Sequence, residues 1–170
     1  MTDEDKLDLS GSRCDPYFKP DWNIDLFRSQ NMFSHLGVLA TVPAQKEGTV
    51  ELALAKISSA EKGWRMIPAR KGKPAVTHWR KLATESGMTL VEFRPETGRT
   101  HQIRVHAREA FGRGIVGDRV YGIPGGPMLL HASRLVVPRE RRETIDVTAP
   151  LPEHFGEWRP FDTLRTGNAS

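Results

Sequence analysis

The sequence predicts an α+β domain with a mainly antiparallel, mixed sheet and one or two helices. Short runs of β-branched and apolar residues at 75–82 and 88–93 flank Ser86 and Gly87, a dipeptide typical of a hairpin turn. The segment 101–111 fits a helix, and the chain shows no internal repeat or low-complexity tract. Strands that dominate around one well-marked helix favour antiparallel pairing.

Further elements are predicted on both sides of this hairpin. Residues 36–42 form a candidate strand that ends at Pro43, and residues 49–57 alternate in part between apolar and polar side chains. A polar loop is expected at 58–63 and a basic turn at 70–74, where Gly and Pro interrupt the pattern. The remaining predictions are a short helix at 23–33 and strands at 128–137 and 144–147.

The predicted helix at 101–111 carries its own boundary signals. Thr100 precedes it, and a threonine hydroxyl in that position can accept a hydrogen bond from a free backbone N–H of the first turn. Gly112, Gly114 and Gly117 follow it. These glycines predict the end of the helix and a flexible connection after it.

The basic charge is concentrated in the middle of the chain. The 170 residues have a formal net charge of +4, yet residues 64–113 alone contain 11 Lys and Arg against 4 Asp and Glu. A basic block of this kind favours a polyanion, because neutralising phosphates releases counterions. A solvated basic surface without a partner is the alternative.

The composition also limits where the protein works. Cys14 is the single cysteine, which excludes an internal disulfide and a cysteine zinc cluster. No run approaches the roughly 18–20 apolar residues of a membrane helix. The first ten residues are acidic and do not have the pattern of a secretory signal. We therefore expect a cytoplasmic protein with no membrane partner.

The densest polar cluster is R-P-E-T-G-R-T-H-Q-I-R-V-H at 94–106. It lies where a predicted strand leads into the predicted helix, and helix N-termini present free N–H groups and a partial positive charge. Arg99 adds a cation just before that terminus. The arrangement suits a phosphate or a carboxylate, although an arginine-rich surface turn has the same composition.

Several segments of the chain follow one another in a recognisable order. The segments are T-G-R-T-H-Q-I-R-V-H at 97–106, G-I-V-G-D-R-V-Y-G at 114–122 and L-L-H-A-S-R-L at 129–135. G-K-P-A-V-T-H-W-R-K-L at 72–82 precedes them, and A-P-L-P at 149–152 follows. Together these segments resemble the RluA family of RNA pseudouridine synthases. The resemblance covers residues 48–153, the C-terminal part of the family's catalytic domain, and implies an incomplete domain of that fold.

The resemblance implies an isomerase that converts uridine to pseudouridine in rRNA or tRNA. The target base is flipped out of the RNA into a pocket, and the reaction needs no cofactor and no metal. An aspartate starts the reaction, and an arginine forms an ion pair with it. The motif position of that arginine is Arg104, whose guanidinium can hold a carboxylate by two parallel hydrogen bonds.

The resemblance also implies roles for other residues. Leu130 matches an apolar residue that packs near the uracil ring, whereas Gly117, Asp118 and Tyr121 match a motif that we interpret as structural. Candidate substrate-binding residues from the cluster and from this match are Arg99, Thr100, His101, Gln102 and Leu130. Candidate contacts with RNA phosphates are Lys71, Lys73, Arg80 and Lys81, which belong to the basic block.

The first 47 residues depart from the family pattern. The His-Arg-Leu-Asp-x-x-Thr-Ser-Gly motif, which brings the nucleophilic aspartate, does not occur in the chain. Val38 is matched to a tyrosine that stacks on the target base, and valine offers no ring. We therefore divide the chain into an atypical segment at 1–47, the synthase-like domain at 48–153 and a tail at 154–170.

Three explanations follow from this departure. The chain is a truncated or misassembled product, or a non-catalytic RNA-binding module derived from the family, or it supplies another aspartate, Asp21 or Asp25, to Arg104.

A sheet without its neighbouring strands exposes unpaired backbone groups, which predicts self-association through an exposed edge. His101 and His106 are five residues apart rather than four, so no metal site is expected.

Overall fold

The computed structural model describes residues 4–7, 13–17, 32–59, 63–139 and 141–156. These residues belong to two compact units, of which the first ends at Asn31 and the second begins at Met32. In the first unit, the strands Glu4–Leu7 (β1) and Arg13–Tyr17 (β2) pair antiparallel. The sequence analysis placed no strand there.

The second unit contains eight strands and one helix among its described residues. They are Met32–Leu39 (β3), Glu47–Glu51 (β4), Leu54–Ser59 (β5), Gly63–Pro68 (β6), Val76–Glu85 (β7), Met88–Pro95 (β8), Gln102–Phe111 (α1), Leu130–Val137 (β9) and Ile145–Thr148 (β10). Six strands form an antiparallel sheet in the order β10-β9-β3-β8-β7-β4, and β5 and β6 form a separate hairpin. The predicted α+β class with a mainly antiparallel sheet is confirmed. No helix within the described ranges is long and apolar enough to cross a membrane.

The β7–β8 hairpin follows its sequence closely. Ser86 and Gly87 both have positive φ, 49° and 75°, which is the conformation of a tight turn that matches the twist of the strands. The register pairs Glu85 with Met88 and Thr84 with Thr89. The turn predicted at Ser86-Gly87 is therefore confirmed, and the two strands extend to Glu85 and Pro95.

The central strands β3 and β8 are buried because both faces of the sheet are covered. On one face, Leu39, Val91 and Phe93 pack with Ile103 and Ala107 of α1. On the other face, the segment around 151–155 covers the sheet; the buried residues of this second cluster are Leu36, Val38, Leu90, Leu151 and Phe155. Because alternate residues of a strand face opposite sides of the sheet, α1 covers only one of its two faces.

One prediction about β structure was wrong. The single strand expected at 49–57 is divided between β4 and β5, which belong to different sheets. The change occurs at Leu52 and Ala53, where the N–H of Leu52 donates to the carbonyl of Ala75 (3.1 Å). The helix expected at 23–33 lies mostly outside the described residues, and its last two residues instead begin β3.

The boundaries of α1 also differ from the sequence prediction. Thr100 does not cap the helix: the N-cap is His101, in a left-handed conformation (φ 54°), and no side chain caps it. Gly112 ends the helix as predicted, with φ 78°. The connection after it is tightly packed rather than flexible, since a Cβ at Gly117 would lie 2.0 Å from the carbonyl oxygen of Pro127.

Candidate active site

Arg104 projects from the first half of α1 into a bidentate ion pair with Asp118. Its Nε and Nη2 donate to the two carboxylate oxygens, at 2.7 Å each. The Asp118 carboxylate is fully buried, whereas 18% of the Arg104 side chain remains exposed. Asp118 also accepts from the backbone N–H groups of Val120 (2.9 Å) and Tyr121 (3.1 Å). The guanidinium is thus held in one orientation by a carboxylate with four donors.

The electrostatics of this pair follow from that geometry. Burial on its own would raise the pKa of the Asp118 carboxyl, but the hydrogen bonds from Arg104 and from the backbone outweigh it and lower the pKa. The hydrogen bond to Asp118 raises the pKa of Arg104. The sequence indicated no carboxylate partner for Arg104 within 48–153, and the structure supplies Asp118, whose motif was interpreted as structural.

His101, at the start of α1, is the centre of an aromatic cluster. Its ring stacks on Trp64 of β6, with centroids 5.0 Å apart and an interplanar angle of 17°. Its Nδ1 is hydrogen-bonded to the Tyr121 hydroxyl at 3.0 Å, and Arg104 lies over the Tyr121 ring at 4.9 Å. Burial, and then the nearby Arg104 charge, lower the pKa of His101. The cluster therefore joins β6 to the Arg104–Asp118 pair.

Gln102 is the first residue of α1 and is 4% exposed. Its amide oxygen accepts from the Thr97 hydroxyl (2.8 Å) and from the backbone N–H of Arg99 (3.0 Å). Its amide nitrogen donates to the Val76 carbonyl and to the Thr77 hydroxyl, both at 2.9 Å. With all four hydrogen bonds made inside the protein, Gln102 fixes the strand-to-helix junction, and it has no free group to offer a substrate.

The other predicted substrate-binding residues take different positions around the junction. Arg99 donates from Nε to the carbonyl of Pro74 at 3.0 Å, and Thr100 is exposed. Leu130 is half-buried and packs against the core cluster that contains Phe93. The structure therefore brings Arg99, His101 and Arg104 to one end of α1, and places Leu130 at the start of β9, against the core cluster.

Val38 does not lie on the Leu130 side of the sheet. It is 0% exposed and belongs to the second cluster, with Leu90 and Leu151. The neighbouring position on the other face is Gly37, where a Cβ would meet Phe93 at 3.0 Å and Leu130 at 3.5 Å. The match of Val38 to a base-stacking position therefore fails on geometry, because its side chain faces away from Leu130.

His35 is a residue that the sequence analysis missed. It is two residues from Gly37 in β3 and so shares its face. Its Nδ1 is buried and has no hydrogen-bond partner among the described residues. Burial, and then the neighbouring His131, lower its pKa. A lone histidine in a strand gives no signal in the sequence, since only the fold reveals that its ring nitrogen is unpaired.

The four predicted phosphate contacts do not form one cluster. Lys71 and Lys73 are exposed in the turn at 70–74. Lys81 donates from Nζ to the carbonyl of Pro43 (2.8 Å), and Arg80 donates to Glu92 (3.0 Å). The structure thus separates the two exposed turn lysines from two cations that have partners within the protein.

A polar cavity of about 310 Å³ lies at the β4, β7 and β8 part of the sheet. Its lining includes Arg80, Glu92 and Arg94, in which both guanidinium groups donate to the same buried Glu92 oxygen, at 3.0 and 2.9 Å. His78 and Thr49 complete its polar wall and are hydrogen-bonded to each other (2.8 Å). Glu92 alternates with Val91 and Phe93, so this cavity is on the face opposite α1.

Within the described part of the chain, no three His, Cys, Asp or Glu side chains are grouped to hold a metal ion. Asp21 and Asp25, the aspartates proposed as replacements, lie outside the described residues. Among the residues described in the second unit, Asp118 is therefore the carboxylate paired with Arg104.

Comparison with known proteins supports the assignment of this fold. Residues 31–109 match the family RNA pseudouridylate synthase. An uncharacterized RNA pseudouridine synthase of Zymomonas mobilis is 49% identical over 122 residues, which are 69% of this chain and 56% of that protein. Ribosomal large subunit pseudouridine synthase D of Neisseria meningitidis serogroup A is 42% identical over 98 residues, 48% of this chain and 26% of that protein.

Solved structures agree. Human RNA pseudouridylate synthase domain containing 1 superposes with a TM-score of 0.60 at 27% identity, covering 75% of this chain and 56% of that one. The human domain containing 4 has a TM-score of 0.63 at 24% identity, covers 84% of this chain and 66% of that one, and supports the fold alone. This chain is therefore similar to RNA pseudouridine synthases over 69% of its length. The chain spans little more than half the length of the Zymomonas relative.

Proposed function

We propose that the chain acts in the isomerisation of uridine to pseudouridine in RNA, with Arg104 at the centre of the active site. The observation that carries the proposal is the orientation of Arg104 by buried Asp118. This pair uses Nε and Nη2, and no described residue accepts a hydrogen bond from Nη1. The guanidinium can therefore hold a second carboxylate, or a phosphate, at its exposed end.

The reaction breaks the bond between ribose C1′ and uracil N1 and forms a bond between C1′ and C5. The proton leaves C5 and N1 gains one, so no external reagent is consumed. A carboxylate held by Arg104 stays ionised in a dry pocket, which an initiating aspartate requires. Leu130 offers an apolar contact to the uracil ring. Arg99, Thr100 and His101 remain candidates for substrate contact, whereas the position of Gln102 gives it a structural role.

RNA, either rRNA or tRNA, is the proposed partner, and Lys71, Lys73, Arg80 and Lys81 are its proposed phosphate contacts. We place the synthase-like domain at 48–153 and extend it to include β3, which pairs with both β8 and β9. A cytoplasmic setting suits an RNA substrate and a chain with one cysteine.

Self-association through a sheet edge also remains a proposal. The strand β10 pairs with β9 at one end of the sheet, and its Val147 is 55% exposed. An apparent mass that rises with protein concentration in sedimentation experiments would support self-association, whereas a constant monomer mass would exclude it.

A pseudouridine assay tests the function. The purified chain is incubated with uridine-rich transcripts and with RNA from cells that lack the relevant synthase, and nucleosides are quantified by mass spectrometry. Arg104→Ala is expected to abolish product, and Arg104→Lys to reduce it strongly, because lysine cannot form the bidentate contact. Arg108→Ala, an exposed arginine one turn further along α1, is the matched control and is expected to retain activity.

The same assay separates the alternatives. Product that depends on Arg104 requires an initiating aspartate in this chain, and Asp21→Asn and Asp25→Asn then identify it. RNA binding that weakens with salt, without product, supports the non-catalytic RNA-binding module instead. Absence of both product and RNA binding would overturn both proposals.

A further inference from the structure

The β5–β6 hairpin presents a tryptophan to solvent. Trp64 is 47% exposed, although its neighbour on the same face of β6, Met66, is buried. Met66 packs with Leu54, Val105 and Tyr121 in a core cluster, so this face of the hairpin is turned toward the helix and its loop. Trp64 lies on the same face of the hairpin but outside this core cluster. Burial therefore does not explain the tryptophan, whose large apolar surface remains half open to water.

The ring of Trp64 is nevertheless held in a defined orientation. It stacks on His101, and His101 is hydrogen-bonded to the Tyr121 hydroxyl, which accepts from the backbone N–H of Met66 (2.8 Å). These contacts start at Trp64 and end at Met66 of the same hairpin. His101 and the hairpin therefore hold each other in position. With the indole held against His101, its exposed part offers a preorganised stacking surface.

Positive charge lies next to this surface and further along the same hairpin. The Nζ of Lys56 lies 4.9 Å from the centroid of the Trp64 ring. Lys73 lies at the other end of the hairpin, because its backbone exchanges two hydrogen bonds with that of Leu54 (2.9 and 2.8 Å), and Leu54 pairs with Pro68 rather than with Trp64. Arg99 donates to the carbonyl of Pro74, the next residue. Cations of this kind next to an exposed aromatic ring suit a single nucleic acid strand, whose bases stack while its phosphates pair with the cations.

We infer that Trp64, oriented by His101 and contacted by Lys56, is a stacking site for an unpaired nucleobase of a single RNA strand. The inference rests on the proposed RNA substrate and adds a second point of contact to it. The site is connected to Arg104 through His101 and Tyr121. A base bound there belongs to a nucleotide that flanks the target uridine, and the base is recognised by its aromatic face rather than by sequence.

The test is RNA binding by the full chain, with single-strand oligouridylate of about 12 nucleotides and a duplex of the same length as probes. Trp64→Ala is expected to weaken single-strand binding about tenfold and to leave duplex binding nearly unchanged. Trp64→Phe is expected to restore most of the affinity. Ile57→Ala is the matched control, because Ile57 is 37% exposed on the opposite face of the same hairpin.

Photo-crosslinking gives an independent measurement. An oligonucleotide that contains 4-thiouridine is expected to crosslink to the peptide that carries Trp64, as mapped by mass spectrometry. Circular dichroism of each variant confirms that the hairpin substitutions leave the fold intact. A crosslink confined to other peptides would contradict the proposed site.

The outcomes separate this site from the proposed function. If Lys71→Ala combined with Lys73→Ala weakens binding while Trp64→Ala does not, the stacking site is overturned and RNA binding stands. If Trp64→Ala and Ile57→Ala weaken binding equally, the effect is structural and the stacking site is again overturned. If the unaltered chain does not bind RNA at low salt, both the stacking site and the proposed RNA substrate fail.

Discussion

Two arginine–carboxylate clusters, on opposite faces of the sheet, use the same chemistry in different ways. In the first, Asp118 is fully buried and binds one arginine, Arg104, through both oxygens. In the second, one oxygen of buried Glu92 accepts from two arginines, Arg80 and Arg94, whose side chains are more than half exposed. The first cluster fixes the direction of one guanidinium, whereas the second leaves two cations largely in water.

This difference determines what each cluster can contribute. Removal of one partner from a bidentate pair with a fully buried carboxylate strongly lowers the stability of the protein, because the other charge stays buried. A half-exposed arginine can regain water when its partner is lost, so each contact in the second cluster contributes less. We therefore expect the Arg104–Asp118 pair to be required for the geometry of the site, and the Glu92 cluster to tolerate change.

The largest effect is expected for Asp118→Asn. The substitution leaves Arg104 without its carboxylate and weakens the contacts to the backbone of Val120 and Tyr121. We expect the free energy of unfolding to fall by about 3–5 kcal/mol, measured by urea denaturation. Asp146→Asn is the control, since Asp146 forms a bidentate pair with Arg134 on an exposed strand and should change stability very little. Equal losses in the two variants would remove the distinction between buried and exposed pairs.

The pH dependence sharpens the same prediction. The folded pKa of Asp118 is lower than its ordinary value, so the folded state binds fewer protons than the unfolded state near that range. The stability from this group is complete above a pH of about 4–5 and is lost as the pH falls through the folded pKa. Asp118→Asn should flatten this acid limb of the stability curve. An unchanged acid limb would mean that other carboxyl groups determine it.

An intermediate effect is expected for Glu92→Gln. The amide keeps an oxygen that can accept from Arg80 and Arg94, but it removes the charge that these hydrogen bonds use. We expect a loss of about 1–2 kcal/mol in the free energy of unfolding. Glu96→Gln, an exposed carboxyl paired with His78 on the same face, serves as the control and should have a smaller effect. A larger loss for Glu92→Gln than for Asp118→Asn would reverse the comparison.

The structural features predicted best from the sequence are those that local chemistry determines. The Ser86-Gly87 turn and the end of α1 at Gly112 were found because positive φ favours small or glycine residues at those places. The division of 49–57 between two sheets was missed, because it depends on pairing of Leu52 with Ala75, which is distant in sequence. The cap expected at Thr100 also failed, since the junction is held by Gln102 instead.

The candidate site shows the same limit. The motif located Arg104 and His101, but no pattern indicated that Asp118 would be the partner of Arg104, 14 residues away. That pairing depends on the loop at 112–129, whose glycines allow the backbone to pack closely and direct the carboxyl inward. The stacking of Trp64 on His101 likewise joins elements that the sequence separates. Residue types were thus predictable, whereas their partners were set by the tertiary fold.

The smallest effect is expected when one arginine of the second cluster is removed. Arg80→Ala or Arg94→Ala leaves Glu92 with the other arginine, so each should lower the free energy of unfolding by less than about 1 kcal/mol. The double variant should lose more than the sum of the two, because Glu92 then keeps its buried charge without either guanidinium. Chemical denaturation of all three variants measures this coupling. Strict additivity would show that Glu92 has enough other contacts to stay charged, and the cluster would then resemble ordinary surface ion pairs rather than a shared buried carboxylate.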